Sequence, residues 1–373
     1  MKEVADQMKK IVGLLLILSM LFCSTAGAFA EGGGEEVLAD WKESFENEDY
    51  KTALPLLQEA SSGGDIEATA ALARCYIYGY GIETDYDKGF ELAQKAADAG
   101  NAYGMFLVGT CYACGDGVTQ DYSKAMEWNR KAAELGNTSA MINVGLLYFN
   151  GDGVEQDYKE AAEWYLKAAE LGNSAAMVSV GYFYDKGYGV DQNYRTAFDW
   201  FQKAADLGNA GAMSNIGIYY ESGIVVEQDY TKAFDWYQKA AEKGNSDAAF
   251  RIGLLYAFGN GVELDYDAAQ DWFQKAADLG NADAMESIAY SYHAGKYGVK
   301  QDYSKAFEWY QRAADHGNNE AMCMLGRYYE AGTGADQNYD MAAAWYSKAM
   351  EAGNEEATRK LNQLYSKGLV KRP

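Results

Sequence analysis

The sequence is poor in proline and histidine, and both shortages narrow what the protein can be. Its 373 residues include only 2 Pro, which favours long uninterrupted helices because proline breaks helix interiors. The only two histidines are His293 and His316. No zinc-binding histidine pair, phosphate-loop lysine motif or nucleophile elbow occurs in the sequence. We therefore expect a protein that is not an enzyme, with no metal and no cofactor.

Positive charge is also scarce, since 32 Lys and Arg stand against 55 Asp and Glu, for a formal net charge of -23. Nucleic acids and anionic lipids require a concentrated basic surface, so we predict neither as a partner. The acidic balance favours solubility and weak self-association, which predicts a monomer. Beyond residue 30, no segment approaches the roughly 20 apolar residues of a membrane span, so we expect no stable insertion of the mature chain.

Residues 1–30 have the pattern of a signal peptide. Lysines precede an apolar run over residues 11–22, and small residues follow at Ala28 and Ala30, the two positions that signal peptidase reads. We predict cleavage after Ala30. The mature protein would then be secreted, or lie in the periplasm or cell envelope, of a bacterium.

Cys23 leaves open a lipoprotein signal, although Phe22 is bulky where that signal has a small residue. A signal that is retained as an anchor is a further alternative. The glycine-rich residues 31–35 predict a short flexible leader.

The abundant feature of the sequence is a repeat of 36 residues. Tryptophan marks it at Trp128, Trp164, Trp200, Trp236, Trp272, Trp309 and Trp345. One glycine keeps the same spacing at Gly64, Gly100, Gly136, Gly172, Gly208, Gly244, Gly280, Gly317 and Gly353. Units of this kind bury their apolar faces against their neighbours, so the period predicts a stack of repeats.

Each unit is predicted to contain two helices, as residues 137–172 illustrate. Spacings of i, i+3, i+4 and i+7 indicate one packed face per helix, formed by Met141, Val144, Gly145 and Tyr148 and then by Ala161, Trp164, Tyr165 and Ala168. Asp157 can accept from the amides that open the second helix, and Gly172 can end that helix in a left-handed conformation.

The first helix of most units contains an internal glycine, which costs about 1 kcal/mol relative to alanine. This position holds Gly109, Gly145, Gly181, Gly217, Gly253 and Gly326, with Ala73 and Ala289 in two units. We predict a close helix crossing there, with the alanine and tryptophan of the paired helix filling the space.

These motifs, Ala-Met-x-x-Val-Gly-x-x-Tyr followed by Ala-x-x-Trp-Tyr-x-Lys-Ala-Ala-x-x-Gly-Asn, resemble the Sel-one-like repeat family, which is related to tetratricopeptide repeats. The resemblance covers eight tandem repeats over residues 65–353 and implies an all-α, right-handed α-solenoid of stacked antiparallel helix pairs. Residues 36–64 resemble a degenerate leading repeat, and residues 354–373 resemble a capping helix. The departures are local: Val225 replaces a loop glycine, Lys296-Tyr297 lengthens a loop, and Leu92 replaces a tryptophan.

Four cysteines follow the predicted signal, at Cys75, Cys111, Cys114 and Cys323. Secreted cysteine-rich relatives join the two helices of a repeat by a disulfide, but these spacings do not fit that plan. We interpret Cys75 and Cys111 as small packing residues. A Cys111–Cys114 or a Cys75–Cys114 bridge remains an alternative.

Since packing positions are shared between units, binding specificity should lie where the units differ. The resemblance implies that first helices line a concave face. The residues that flank the packing positions there are Phe106, Thr110, Asn143, Asn150, Ser179, Tyr182, Asn215, Glu221, Phe250, Arg251, Tyr290, His293 and Arg327. We predict a non-enzymatic scaffold that binds a protein or peptide segment along this face. A protein that binds or hydrolyses cell-wall fragments or β-lactams, and a structural spacer without a ligand, are the alternatives.

Overall fold

The computed structural model describes residues 39–372, so the predicted signal peptide and leader lie outside the described residues. Between 39 and 372 the chain forms nineteen α-helices and no strand. Consecutive helices pack as pairs joined by short loops. The predicted all-α architecture of tandem helix pairs is confirmed.

Helix bounds repeat with the sequence period. The helices are α1 (Ala39–Glu46), α2 (Tyr50–Ser62), α3 (Ile66–Tyr78), α4 (Tyr86–Asp98), α5 (Ala102–Cys114), α6 (Tyr122–Glu134), α7 (Thr138–Asn150), α8 (Tyr158–Glu170), α9 (Ser174–Lys186), α10 (Tyr194–Asp206), α11 (Ala210–Ser222), α12 (Tyr230–Glu242), α13 (Ser246–Phe258), α14 (Tyr266–Asp278), α15 (Ala282–Ala294), α16 (Tyr303–Asp315), α17 (Asn319–Ala331), α18 (Tyr339–Glu351) and α19 (Glu355–Ser366). From α3 onward, odd-numbered helices are the first helices of the repeats and even-numbered helices are the second.

The described chain divides into two compact units, and the boundary in the sequence lies between Trp200 and Phe201, inside α10. Unit 1 contains α1 to α9, and unit 2 contains α11 to α19. Besides packing on its own second helix, a first helix touches the next first helix, as α3 touches α5, α5 touches α7, and α17 touches α19. Neighbouring first helices therefore share a surface within each unit.

Polar caps fix both ends of the helices, as predicted. The Asn137 side chain accepts from the Ala140 amide at 2.8 Å at the start of α7, and Asp157 accepts from the Glu160 amide at 3.1 Å at the start of α8. Gly151 ends α7 with a left-handed φ of 79°, and Gly172 follows α8 with φ 88°. These caps satisfy amide and carbonyl groups that a helix end would otherwise leave unpaired.

Val225 occupies the left-handed loop position that other repeats give to glycine, with φ 70°. A β-branched side chain is strained in this region, at a cost of about 1–2 kcal/mol. We expect Val225→Gly to raise the urea midpoint of unfolding, because glycine adopts this φ without the steric conflict. Glycine also gains freedom in the unfolded chain, which limits the increase to about 1 kcal/mol. A lower midpoint would show that contacts of the valine side chain outweigh its backbone strain.

The predicted close crossing at the internal glycines is confirmed. The predicted alanine lies there, since a Cβ at Gly145 would be 3.3 Å from the Ala161 carbonyl oxygen, but the predicted tryptophan is wrong. A Cβ added to Gly145 would lie 3.2 Å from Cε2 of Tyr165, and one added to Gly253 would lie 2.5 Å from Cδ1 of Phe273. The ring that faces the glycine thus belongs to the residue after the tryptophan. Trp164 itself is only partly buried, and Lys167 Nζ lies 4.1 Å from its ring centroid, an arrangement that a cation–π interaction favours.

All four described cysteines are free thiols. Cys75 and Cys111 are 0% and 1% exposed, which confirms their role as small packing residues. Cys323 is buried too, whereas Cys114 is exposed. Neither of the alternative disulfides is present in the structure.

Candidate interaction surface

All the residues predicted to bind a ligand lie on first helices, and in unit 1 three of them form one continuous patch. Asn143 Nδ2, on α7, donates to Thr110 Oγ1 on α5 at 3.3 Å and to Asn129 Oδ1 at 3.3 Å. Thr110 Oγ1 donates to the Phe106 carbonyl at 3.0 Å. The amide of Asn143 is therefore held by partners on two helices, and a partly exposed aromatic ring lies one turn away.

Ser179, Asn150 and Tyr182 lie differently from this patch. Ser179 is only 1% exposed and its hydroxyl donates to the Ala175 carbonyl at 3.2 Å, so its prediction as a surface contact is wrong. Asn150 Nδ2 donates to Asp152 in the following loop at 3.0 Å. The Tyr182 ring remains partly exposed and adjoins Tyr188, with 5.9 Å between ring centroids.

In unit 2, Glu221 connects two first helices and a second helix. Its carboxylate accepts from the Tyr237 hydroxyl, and it pairs with Arg251 Nη1 on α13 at 3.2 Å. Phe250 directly precedes Arg251 in the sequence. The centroid of its ring lies 5.6 Å from that of Phe273. Asn215, on α11, is partly exposed. Of the predicted residues, Glu221 and Arg251 thus come together at one carboxylate, while Phe250 packs on Phe273.

Farther along unit 2, His293 Nδ1 lies 2.8 Å from the Tyr328 hydroxyl. Burial lowers the pKa of His293, and the positive charge of Arg327 lowers it further, so the imidazole is neutral at pH 7. Arg327 Nη2 lies 3.6 Å from Glu356 Oε1 on the next first helix. Tyr290 is exposed at 39%. On this part of the surface, Tyr290 therefore supplies an aromatic hydroxyl, His293 a neutral ring, and Arg327 a cation that is paired with Glu356.

Glu286 is a member of this surface that the sequence reasoning missed. It holds the same repeat position on α15 that Phe250 holds on α13. Burial raises its pKa to about 7, and the neighbouring negative charges of Asp283 and Glu320 contribute to the increase. Its repeat position was a usable signal, since Phe250 was selected on that basis.

We expect Glu286→Gln to stabilise the protein at pH 8 by about 1 kcal/mol and to have little effect at pH 4. The folded-state pKa of about 7 exceeds the ordinary value of 4.5, so this carboxyl stabilises the fold below pH 4.5 and loses that contribution as pH rises through 7. Glutamine stays neutral throughout, and partial exposure of the site reduces the effect below the full shift. Thermal unfolding at both pH values measures the difference. The exposed Glu308→Gln variant controls for loss of one negative charge, and an equal gain there would contradict the assignment to burial.

Arg74, on α3, is the second residue that the sequence reasoning missed. It holds the same repeat position as Thr110 and Tyr182, so the register of the repeats could have identified it. Its guanidinium is partly buried, with Cζ 5.1 Å from the centroid of the Tyr80 ring. This places a cation at the α3 end of the surface that continues to Phe106 and Thr110.

The first helices in the described part of the chain offer hydrogen-bonding and aromatic groups. Within it, no group of three or more His, Cys, Asp or Glu side chains could hold a metal ion. None of its helices is long and apolar enough to cross a membrane. Amides, hydroxyls, guanidinium groups and rings along the first helices can bind an extended polypeptide by hydrogen bonds and stacking.

The repeats match the family model described as the Sel1 repeat. The matched stretches are residues 66–101, 102–137, 138–173, 174–209, 210–245, 246–281, 282–318 and 319–354. No curated protein gives a significant match to the chain.

Two solved structures are similar to the chain over most of its length. One is c5321, a protective antigen present in uropathogenic Escherichia coli strains and displaying an SLR fold. It has 30% sequence identity and a TM-score of 0.55, and the match covers 91% of this chain and 82% of that protein. The other is a Sel1 repeat protein from Oxalobacter formigenes, with 31% identity and a TM-score of 0.59, where the match covers 66% of this chain and 96% of that protein.

Proposed function

The chain belongs to the Sel1 repeat family, and we propose that it is an exported, non-enzymatic scaffold that binds a protein or peptide segment along its first helices. Sel1 repeat proteins typically act as protein-interaction scaffolds. The observation that carries the proposal is the contrast between the two sets of first-helix positions. The packing positions hold similar residue types in every unit. The neighbouring, more exposed position varies, and it holds Thr110, Tyr182 or Tyr290 in different repeats.

The exposed side chains are suited to a polypeptide ligand. Asn143 and Asn215 bring amide groups that can pair with a peptide backbone. The Phe106 ring is partly exposed and the Tyr290 ring is exposed at 39%. Because Asn143 is already held by Thr110 and Asn129, little side-chain entropy is lost when a ligand binds there. A held amide beside an accessible ring supports binding of an extended segment.

Capture of partners from the producing cell tests this proposal. We expect a variant with Asn143, Asn215 and Arg251 all changed to alanine to lose the partner that the wild type retains. A matched variant changes the exposed second-helix residues Glu163, Asp235 and Asp271 to alanine and should retain it. Circular dichroism must show that both variants remain folded. Equal retention by both variants would contradict a binding role for the first helices.

Export is tested separately by the mass and N-terminal sequence of the protein recovered outside the cytoplasm. Cleavage after Ala30 predicts a mature chain that begins at Glu31. A chain that begins within residues 11–22, or that is found only inside the cytoplasm, would contradict the proposed signal.

A further inference from the structure

Arg74 lies near the start of unit 1, with its guanidinium packed against aromatic rings. Its Cζ atom is 5.4 Å from the centroid of the Phe45 ring and 5.1 Å from that of Tyr80. Tyr80 in turn stacks on Tyr50, with 5.0 Å between centroids and 8° between planes. Ring faces attract a guanidinium and restrict its orientation. The cation is therefore held in place before any ligand arrives.

Arg74 lacks the carboxylate that pairs with the equivalent arginine in unit 2. Arg327 holds the same position of its repeat, and it pairs with Glu356 in the next first helix. The residue equivalent to Glu356 in the repeat after Arg74 is Tyr103. Within residues 39–372, no Asp or Glu forms an ion pair with Arg74. A partly buried positive charge is thus left without a counter-ion in a protein of net charge -23.

Two phenols near the guanidinium can donate hydrogen bonds. Tyr78 and Tyr103 both interact electrostatically with Arg74, and burial raises the pKa of each. Their hydroxyls therefore stay protonated at neutral pH. Neither hydroxyl forms a hydrogen bond with another described residue, although both side chains are only partly buried. The guanidinium and the phenols together supply donors and no anionic acceptor.

We propose that Arg74, Tyr78 and Tyr103 bind a carboxylate of the peptide ligand. This inference rests on the proposed function and names the chemistry of one anchoring group. Arginine binds a carboxylate through two parallel N–H donors, and partial burial strengthens the attraction relative to open water. The site continues onto the scaffold surface, because the Phe106 ring lies 5.6 Å from that of Tyr103 and the Thr110–Asn143 pair follows. A ligand residue beside the carboxylate can stack on these rings.

Three short peptides test the proposal on the full mature chain. The first is acetyl-Gly-Phe-Glu-Phe-Gly-amide, the second replaces its Glu with Gln, and the third is acetyl-Gly-Phe-Gly-Phe-Gly with a free carboxyl terminus. Binding is followed by the arginine Nε–Hε signals in NMR spectra, with Arg74→Gln used to assign the Arg74 signal. Arg130→Gln is the control, since Arg130 is exposed on the second helix α6.

We expect the Glu peptide to shift the Arg74 signal and to bind about tenfold more tightly than the Gln peptide, as the loss of a charge-assisted hydrogen bond implies. Arg74→Gln should remove this preference, and Arg130→Gln should keep it. If the free-acid peptide shows the stronger shift, the carboxylate comes from a chain terminus rather than from a side chain. Equal binding of all three peptides, absence of binding by all of them, or a preference that persists in Arg74→Gln would overturn the proposal.

A negative result for carboxylate binding can be told apart from a negative result for the proposed scaffold function. Partner capture uses changes at Asn143, Asn215 and Arg251, which leave Arg74 intact. Loss of the partner in that experiment, without any acid preference at Arg74, would leave the scaffold standing and remove only the carboxylate site.

Discussion

Replacing Gly253 with leucine should lower the free energy of unfolding by about 3 kcal/mol, at the upper end of the usual cost of overpacking. Even a Cβ at this position would lie 2.5 Å from Cδ1 of Phe273 and 3.3 Å from the Ala269 carbonyl oxygen. The Phe273 ring is 3% exposed and cannot turn into solvent without opening the α13–α14 pair. The shift of the urea midpoint measures this effect.

Gly211→Leu is the matched control, because Gly211 also lies in a first helix. A Cβ there would meet no atom closer than Asn209 Oδ1 at 3.3 Å, and leucine improves helix propensity over glycine. We expect this variant to unfold at the wild-type midpoint or above it. Equal midpoints for Gly253→Leu and the wild type would show that α13 and α14 do not cross as closely as described.

The second large effect is expected at Glu221. Changing it to alanine removes the acceptor of the Tyr237 hydroxyl and the ion-pair partner of Arg251. Tyr237 is 0% exposed, so its hydroxyl cannot turn to water, and an unpaired buried donor costs about 1–3 kcal/mol. We expect a loss of about 2 kcal/mol in the free energy of unfolding.

A double-mutant cycle with Tyr237→Phe isolates the hydroxyl contribution. In the phenylalanine background no buried hydroxyl is left without an acceptor, so Glu221→Ala should lower the free energy of unfolding distinctly less. Glu221→Gln keeps an acceptor and should fall between the wild type and the alanine variant. The same loss in both backgrounds would assign the effect to Arg251 or to the helix itself.

The helices and their crossings could be predicted from the sequence because the same packing pattern recurs in every repeat. Spacing placed both Trp164 and Tyr165 on the apolar face of α8. It could not tell which of them meets Gly145, because that depends on how α8 is rotated against α7. The tryptophan was the more conspicuous residue, and the structure gives the contact to the tyrosine.

Surface residues were harder to predict because exposure depends on contacts between helices. Asn143 and Ser179 hold the same repeat position, yet the longer side chain reaches Thr110 while the short one bonds its own helix and is buried. The lack of a counter-ion at Arg74 could not be predicted from the sequence for a related reason. Its missing counter-ion becomes visible only when Arg327 is seen to pair with Glu356 of the following first helix.

Site-specific photocrosslinking in the producing cell shows which helices contact a partner protein. A photoreactive phenylalanine analogue is placed at Asn143 or Asn215 on first helices, and at Glu163 or Asp235 on second helices. Binding along the first helices predicts covalent adducts with a partner protein from the first-helix positions and none from the second-helix positions. Adducts that arise only from the second helices, or equally from both, would contradict it.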